Sequence, residues 1–168
     1  MKYGYFDNDA CEYVITNPKT PVKWINYVGT LSFGGFVDHT GGALLCKGDP
    51  AINRMIKYIP QLPASNFKGT TLYLRFKEGN GYKVFSPFFV PTLDPYDMYE
   101  CHVGLGYARI ISEFYGIRTE ATITSAARIR TIRFRLHSKR ATVARPVGVK
   151  PRRYRLSRDQ VKWSFQIS

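Results

Sequence analysis

The sequence predicts an all-β fold, on three observations: abundant aromatic residues, regularly spaced turns and one clear β-hairpin. Aromatic residues make up 15% of the 168 residues, and 14 glycines and 10 prolines separate short segments rich in β-branched residues. This composition is typical of short strands joined by tight turns. Strands that follow one another at this spacing predict a sandwich of antiparallel sheets.

The hairpin turns at Tyr115-Gly116, whose glycine tolerates the positive φ that a two-residue loop requires. Its register predicts that Glu113 faces Arg118 across the strands, and that Arg109 lies diagonal to Glu120. The opposite face is mostly apolar. A shift of one residue would expose that face to water, so the register is well specified.

Other strands are predicted where apolar residues alternate between turn residues. The predicted strand segments are Lys2–Phe6, Glu12–Ile15, Thr70–Phe76 and Tyr82–Ser86. Trp24–Gly29 is a short apolar segment that ends on glycine, and the four glycines of Phe33–Leu45 permit tight turns and close backbone approach. Weak helical spacing at Ile52, Ile56 and Ile59 predicts one or two helical turns before Pro60.

The net charge of +13 is concentrated in the last quarter of the chain. Residues 1–124 hold 12 Lys and Arg against 11 acids, whereas residues 125–168 hold 13 Lys and Arg against Asp159 alone. Such a segment is typical of a mobile, solvated chain, so we expect it not to pack on the sandwich. Ile129, Ile132 and Leu136 keep rough helical spacing and predict a short helix there.

The basic segment also supports a second hypothesis, a non-enzymatic protein that binds nucleic acid through its arginines. Lys and Arg neutralise phosphates whatever the base sequence. The sequence carries none of the familiar RNA- or DNA-binding motifs, so binding of this kind would be non-specific.

The cysteines and the histidine at 102 favour structural roles. Cys11, Cys46 and Cys101 have no C-x-x-C spacing, which predicts reduced thiols in a cytoplasmic protein rather than disulfides or a metal site. His102 has no second ligand at metal spacing and is interpreted as a turn histidine. The sequence has no membrane-spanning run and no signal-peptide core.

Four residues could supply the two carboxylates that glycoside cleavage requires: Asp38, Glu100, Glu113 and Glu120. Glu113 and Glu120 already have predicted charge partners in the hairpin. A catalytic pair is therefore not favoured. The G-x-G of Gly104–Arg109 leads into a strand rather than a helix, so it does not predict a phosphate-binding loop.

Three segments carry a family resemblance: GYFDNDACEYVITNPKTPVKWINYVGTLSFGGFVDHTGG, then LYLR, then YECHVGLGYARIISEFYGIRTEATI. They resemble the N-terminal domain of the family 94 glycoside phosphorylases, over about residues 1–123. The resemblance implies a galactose-mutarotase-like antiparallel β super-sandwich at the start of a longer, cytoplasmic enzyme that forms homodimers. It further implies inverting phosphorolysis of β-linked disaccharides, with inorganic phosphate as co-substrate and no cofactor.

The resemblance places the catalytic acid in a separate helical barrel. It therefore implies that this chain has no catalytic residue, is inactive alone, and at most binds carbohydrate or forms the dimer. The loop Asp38–Gly42 lies where the family has a loop near the active-site side. Asp38, His39, Thr40, Gly41 and Gly42 are thus candidate sugar-binding residues, although a lone loop histidine also fits a structural role.

The departure from the family pattern predicts two segments. Residues 1–123 form an incomplete N-terminal super-sandwich, and residues 124–168 form a divergent Arg-rich tail of weak structure. The abrupt change in arginine, acid and aromatic content fits translation in a wrong reading frame after about codon 124. A genuine basic extension is the alternative.

Overall fold

The chain is all-β in the computed structural model, as predicted. The structure describes residues 2–54, 72–126, 129–137, 141–142, 155–157 and 160–167, with the strands after residue 124 described by their backbone. Every strand pairing in these ranges is antiparallel. Within the same ranges, no helix is long and apolar enough to cross a membrane.

Fourteen strands are formed by the described residues. In chain order they are β1 Gly4–Asp7, β2 Glu12–Ile15, β3 Ile25–Gly29, β4 Gly34–Asp38, β5 Ala43–Cys46, β6 Leu74–Glu78, β7 Gly81–Phe85, β8 Met98–Gly104, β9 Tyr107–Phe114, β10 Ile117–Ala126, β11 Ile129–His137, β12 Ala141–Thr142, β13 Arg155–Ser157 and β14 Gln160–Ile167.

These strands form one large sheet and two small ones. The large sheet has eight strands in the order β1-β2-β8-β9-β10-β11-β14-β13. The small sheets have the orders β3-β4-β5 and β12-β6-β7. Because β2 pairs with β8, residues near the N-terminus lie beside residues about 90 positions later. This non-local pairing brings together the polar cluster described below.

The predicted central hairpin is confirmed in position and register. β9 and β10 pair Phe114 with Ile117 and Glu113 with Arg118. Both loop residues have positive φ, 53° at Tyr115 and 68° at Gly116, as a type I′ turn requires. An Arg118 Nη1 atom lies 3.9 Å from Glu113 Oε2 at the exposed surface, so this ion pair contributes at most about 1 kcal/mol.

The predicted diagonal placement of Arg109 and Glu120 is confirmed, because the register sets Thr122 opposite Arg109 and Glu120 two residues before Thr122 on β10. Arg109 has a further charge partner that the hairpin considered alone could not reveal. Its guanidinium contacts the buried carboxylate of Glu12 on β2, with Nη2 3.2 Å from Oε2. Between them, β8 places His102 opposite Arg109.

The apolar faces of the three sheets meet in one hydrophobic core. Its largest fully buried side chains are Ile15, Leu74, Phe85, Ile110, Ile117 and Ile123. Two buried hydroxyls lie on the same face, Ser112 Oγ and Thr119 Oγ1, 2.7 Å apart. Ser112 Oγ also donates to the carbonyl oxygen of Pro87 at 2.9 Å. Both hydroxyls are thus satisfied, as burial of polar groups requires.

The predicted helix over Ile129–Leu136 is wrong, because this segment is strand β11. It pairs with β10 over nine residues, so the expectation that the tail would not pack on the sandwich is wrong for residues 129–137. The helical interpretation used Ile129, Ile132 and Leu136 and passed over Phe134. With Phe134 included, apolar residues alternate with arginines at period 2, which is the spacing of a half-buried strand.

The predicted helical turns near residue 52 receive partial support, since the Asn53 amide donates to the Asp49 carbonyl oxygen at 2.9 Å and the Ile52 amide to the same oxygen at 3.3 Å, which makes one short turn. Ile52 lies in a turn, and Arg54 forms a bridge to Cys46. Ile56 and Ile59 lie outside the described residues. The remaining predicted hairpins, β1 with β2 and β6 with β7, are confirmed.

Candidate functional site

The loop predicted to bind sugar is the tight connection between β4 and β5. Asp38 Oδ1 accepts hydrogen bonds from the Thr40 amide at 2.7 Å, the Thr40 hydroxyl at 2.8 Å and the Gly42 amide at 3.0 Å. Asp38, His39 and Thr40 are each at most 3% exposed. The carboxylate therefore holds the loop closed from within, where charge-assisted hydrogen bonds are strong.

The second oxygen of the same carboxylate faces a buried cation. Lys23 Nζ lies 4.0 Å from Asp38 Oδ2, and both side chains are buried. Burial lowers the pKa of Lys23, and the charge of Asp38 opposes that shift only in part. The Lys23–Asp38 pair thus joins the segment before β3 to the end of β4. Removing either partner would leave the other charge buried without its opposite charge.

His39 is held by hydrogen bonds from both ring nitrogens. Nε2 lies 2.9 Å from the carbonyl oxygen of Pro18 and 3.0 Å from Thr20 Oγ1. Nδ1 lies 3.3 Å from the Trp24 amide nitrogen. Because the Pro18 carbonyl can only accept and the Trp24 amide can only donate, we assign the proton to Nε2. Burial lowers the pKa of His39, so the ring is neutral near pH 7.

A cavity of about 190 Å³ lies beside this loop, between the large sheet and the β3-β4-β5 sheet. Asp38 and His39 contribute to its wall, together with mainly apolar groups such as Tyr13, Trp24 and Cys101. Burial raises the pKa of the Cys101 thiol, so that thiol stays protonated. Thr40, Gly41 and Gly42 are buried in the loop but lie outside this wall.

The five predicted residues are therefore brought together, and the side chains of Asp38, His39 and Thr40 bond to the protein itself. The backbone carbonyl of His39 is also used, since it accepts a hydrogen bond from the Tyr99 hydroxyl at 2.8 Å. These contacts give the loop a structural role in this chain. Its binding to sugar stays a prediction.

A substitution at Gly41 tests how tightly the loop is packed. Gly41 has φ 85°, and a Cβ there would lie 2.6 Å from the ring of buried Phe88. We expect Gly41→Ala to lower the free energy of unfolding by about 1–2 kcal/mol because alanine is strained at a positive φ. Overpacking against Phe88 should lower it by about 1–3 kcal/mol more. Gly48→Ala is the matched control, because Gly48 has φ 66° and no described residue would come within 4 Å of a Cβ there. Equal losses in urea unfolding of the two variants would contradict the packing argument.

A second polar cluster lies where β2, β8 and β9 are adjacent, and sequence reasoning missed it. It comprises Glu12, Glu100, His102, Tyr107 and Arg109, and we call it the Glu12 cluster. Glu12 Oε2 lies 2.7 Å from His102 Nδ1, and the Tyr107 hydroxyl donates to Oε1. His102 Nε2 lies 3.2 Å from Glu100 Oε2. The turn assignment for His102 is thus wrong, since it lies in β8 between two carboxylates.

The Glu12 cluster is built for cohesion between strands. In the described part of the chain, no three His, Cys, Asp or Glu side chains are arranged to hold a metal ion. The acceptors and donors of the cluster satisfy one another across three strands, although Arg109 Nε is buried and has no hydrogen-bond partner among the described residues. Alternating polar residues at 100 and 102 signal one exposed face of a strand. Only the pairing of β2 with β8 reveals Glu12 as their partner.

The Glu12 cluster predicts a pH-dependent stability. Burial alone would raise the pKa of Glu12, but hydrogen bonds from Tyr107 and His102 and the charge of Arg109 together lower it below 4.5. A lowered folded-state pKa stabilises the fold above the unfolded value, and that stabilisation is lost as the pH falls through the folded value. We expect Glu12→Gln to cost about 1.5–3 kcal/mol at pH 7, and less at pH 3.

Urea unfolding of wild type and Glu12→Gln between pH 3 and pH 7 measures this difference. Glu113→Gln is the control, because that carboxylate pairs with half-exposed Arg118 at the surface of the hairpin. A Glu12→Gln deficit that stays constant across this pH range would contradict the prediction.

Comparison of the sequence with known proteins gives a family match that covers both sites. The sequence profile described as the supersandwich domain of glycosyl hydrolase 94 matches residues 11–144. That match contains the Asp38–Gly42 loop and the whole Glu12 cluster. It also extends past residue 123, where the sequence predicted a boundary.

Three similar proteins are disaccharide phosphorylases by name. The chain is 35% identical over 125 residues to N,N'-diacetylchitobiose phosphorylase of Vibrio proteolyticus, covering 73% of this chain and 15% of that protein. It is 37% identical over 124 residues to the Vibrio furnissii protein of the same name, with the same coverage. It is 32% identical over 110 residues to 3-O-beta-D-glucopyranosyl-beta-D-glucuronide phosphorylase of Paenibacillus borealis, covering 66% of this chain and 13% of that protein. The chain thus spans about 15% of the length of the two Vibrio relatives.

Proposed function

The chain belongs to glycosyl hydrolase family 94 through its supersandwich domain, and on that premise we propose that it serves as the sandwich of an enzyme that cleaves β-linked disaccharides with inorganic phosphate. The match of this domain over residues 11–144 carries the proposal. The similarity to three phosphorylases supports the same reaction class. The role of this chain would be to shape and support the site rather than to perform the chemistry.

The reaction requires a proton donor as well as phosphate. In an inverting displacement, phosphate attacks the anomeric carbon while a carboxylic acid protonates the leaving oxygen. Here Asp38 accepts hydrogen bonds from loop amides and Glu12 from the Glu12 cluster. Both carboxylates stabilise the sandwich, which supports a scaffold role with the acid supplied by another part of the enzyme.

The Asp38–Gly42 loop is proposed to border the sugar site in the complete enzyme. Since three of its side chains bond inward, it would contribute its shape and backbone more than its side chains. We further propose a cytoplasmic enzyme that works as a homodimer, as the family resemblance implies.

A chimaera tests the proposed function. Residues 11–144 of this chain replace the aligned segment of the Vibrio proteolyticus phosphorylase, and release of sugar 1-phosphate from N,N'-diacetylchitobiose is measured. The same exchange with the Vibrio furnissii segment is the matched control. Activity of both chimaeras supports the proposal. A folded chimaera that is inactive, beside an active control, would overturn it.

The division of the chain after residue 123 remains a proposal of its own. Residues 124–168 would be either a segment translated in a wrong reading frame or a genuine basic extension, whose binding to nucleic acid would be weak and non-specific. Translating the nucleotides after codon 123 in the other two frames tests this. Alternating strands with acids and aromatics in one of those frames would support the wrong-frame proposal.

A further inference from the structure

A second, larger cavity lies on the other side of the Asp38–Gly42 loop. Its volume is about 500 Å³, and it is walled by the chain after β2, the segment before β8 and the start of β8. The Tyr99 hydroxyl, which bonds the His39 carbonyl, belongs to this wall. A cavity of this size with aromatic walls and a few convergent polar groups is typical of a small-ligand site. We call it the Tyr96 groove.

The aromatic part of the Tyr96 groove is held rigidly. The ring centroids of Tyr96, Tyr99 and Phe89 lie between 5.5 and 6.4 Å from one another. The Tyr96 hydroxyl donates to the carbonyl oxygens of Ser86 and Phe88. Burial accordingly raises the pKa of Tyr96 well above its usual value. Rings fixed in this way offer a preformed apolar surface, so a ligand would lose little free energy in ordering them.

The polar part of the groove is mainly acidic. Asp94, Asp97 and Glu100 line it, and Lys19 is the cation that lines it with them among the described residues. Within the same residues, Asp94 Oδ2 is closed to solvent and has no hydrogen-bond partner, so the carboxylates open to a ligand are those of Asp97 and Glu100. Asp97 is exposed at the rim. These oxygens can accept hydrogen bonds from hydroxyl groups, whereas they repel an anion placed among them.

We propose that the Tyr96 groove binds a neutral sugar unit of a β-linked disaccharide, with its hydroxyls donating to Asp97 and its apolar face against Tyr96. This inference rests on the proposed function, which supplies the ligand class. It adds that the sandwich itself holds a sugar site, and that the site excludes inorganic phosphate and uronic acids by charge.

The test is a nuclear magnetic resonance titration of the full chain with cellobiose, N,N'-diacetylchitobiose, glucuronic acid and inorganic phosphate at millimolar concentrations. We expect the neutral sugars to shift the amide resonances of residues 94–100, and the two anions to leave them unchanged. Asp97→Asn should weaken the binding of neutral sugar about tenfold, the equivalent of one charge-assisted hydrogen bond. Since Asp97 is exposed, this variant keeps the fold.

Asp9→Asn is the matched control, because Asp9 is exposed in the turn that precedes β2, at the opposite end of that strand from the groove. Its affinity for sugar should equal that of the wild type. The inference is overturned if neutral sugars cause no shifts at residues 94–100, if phosphate or glucuronic acid causes equal shifts, or if Asp97→Asn binds as tightly as the control. If the chimaera is active but neutral sugars cause no shifts at residues 94–100, this inference alone is rejected. If the chimaera is inactive but neutral sugars do bind in the groove, the phosphorylase function alone is rejected.

Discussion

Incubated with cellobiose, laminaribiose or N,N'-diacetylchitobiose and inorganic phosphate, the isolated chain should release no sugar 1-phosphate above a buffer blank. Proton transfer to a leaving group typically contributes about 10²–10⁴-fold to the rate. The most deeply buried carboxylates of the described residues, Asp38 and Glu12, already accept hydrogen bonds within the protein. Binding of sugar in the Tyr96 groove would thus occur without turnover.

The assay needs a positive control of the same reaction class, for which the Vibrio proteolyticus relative with N,N'-diacetylchitobiose is suited. Turnover by the isolated chain that survives repeated purification would contradict the scaffold role. If such turnover also disappeared in Asp97→Asn, the Tyr96 groove would be its site.

The features that could be predicted from the sequence are those set by neighbours along the chain. The register of β9 and β10 follows from a two-residue loop and from alternating residues on either side, so Glu113 and Arg118 face each other as predicted. The β1–β2 and β6–β7 hairpins follow from the same local rules. The buried position of the Asp38–Gly42 loop does not, because burial depends on the sheets packed around it.

The Glu12 cluster shows why the rest could not be predicted. Its members come from three strands, and Glu12 reaches Arg109 across 97 residues of sequence. The hairpin alone predicts Glu120 as the diagonal neighbour of Arg109, and only the strand order reveals Glu12 as a further charge partner. Non-local strand order has no local signal in a single sequence.

The tail shows a different kind of error. Its high charge predicts a solvated segment, whereas its periodicity over residues 132–136 predicts a strand. Ile132, Phe134 and Leu136 carry the alternation, and the register pairs them with Ile123, Ala121 and Thr119 of β10. Arg133 and Arg135 stand between these apolar residues, so a strand is compatible with the high charge.

Removal of the tail should therefore destabilise the sandwich severely. A chain ending at residue 126 loses the nine residue pairs between β10 and β11. At about 0.5–1.5 kcal/mol for each net hydrogen bond, the loss is on the order of 5 kcal/mol, comparable with the whole stability of a small domain. It also leaves β10 as a long unpaired edge, which invites association between chains.

Circular dichroism melting and light scattering of three lengths measure this effect. The full chain should melt highest, a chain ending at residue 142 should keep β11 against β10 and melt at an intermediate temperature, and a chain ending at residue 126 should be unfolded or aggregated. The residue-142 chain is the matched control, since it also loses most of the basic segment but keeps the β10–β11 pairing. If the residue-126 chain instead melts cooperatively at the temperature of the full chain and stays monomeric, then β11 contributes nothing to the sandwich. In that case the boundary predicted after residue 123 would mark the true end of the folded unit.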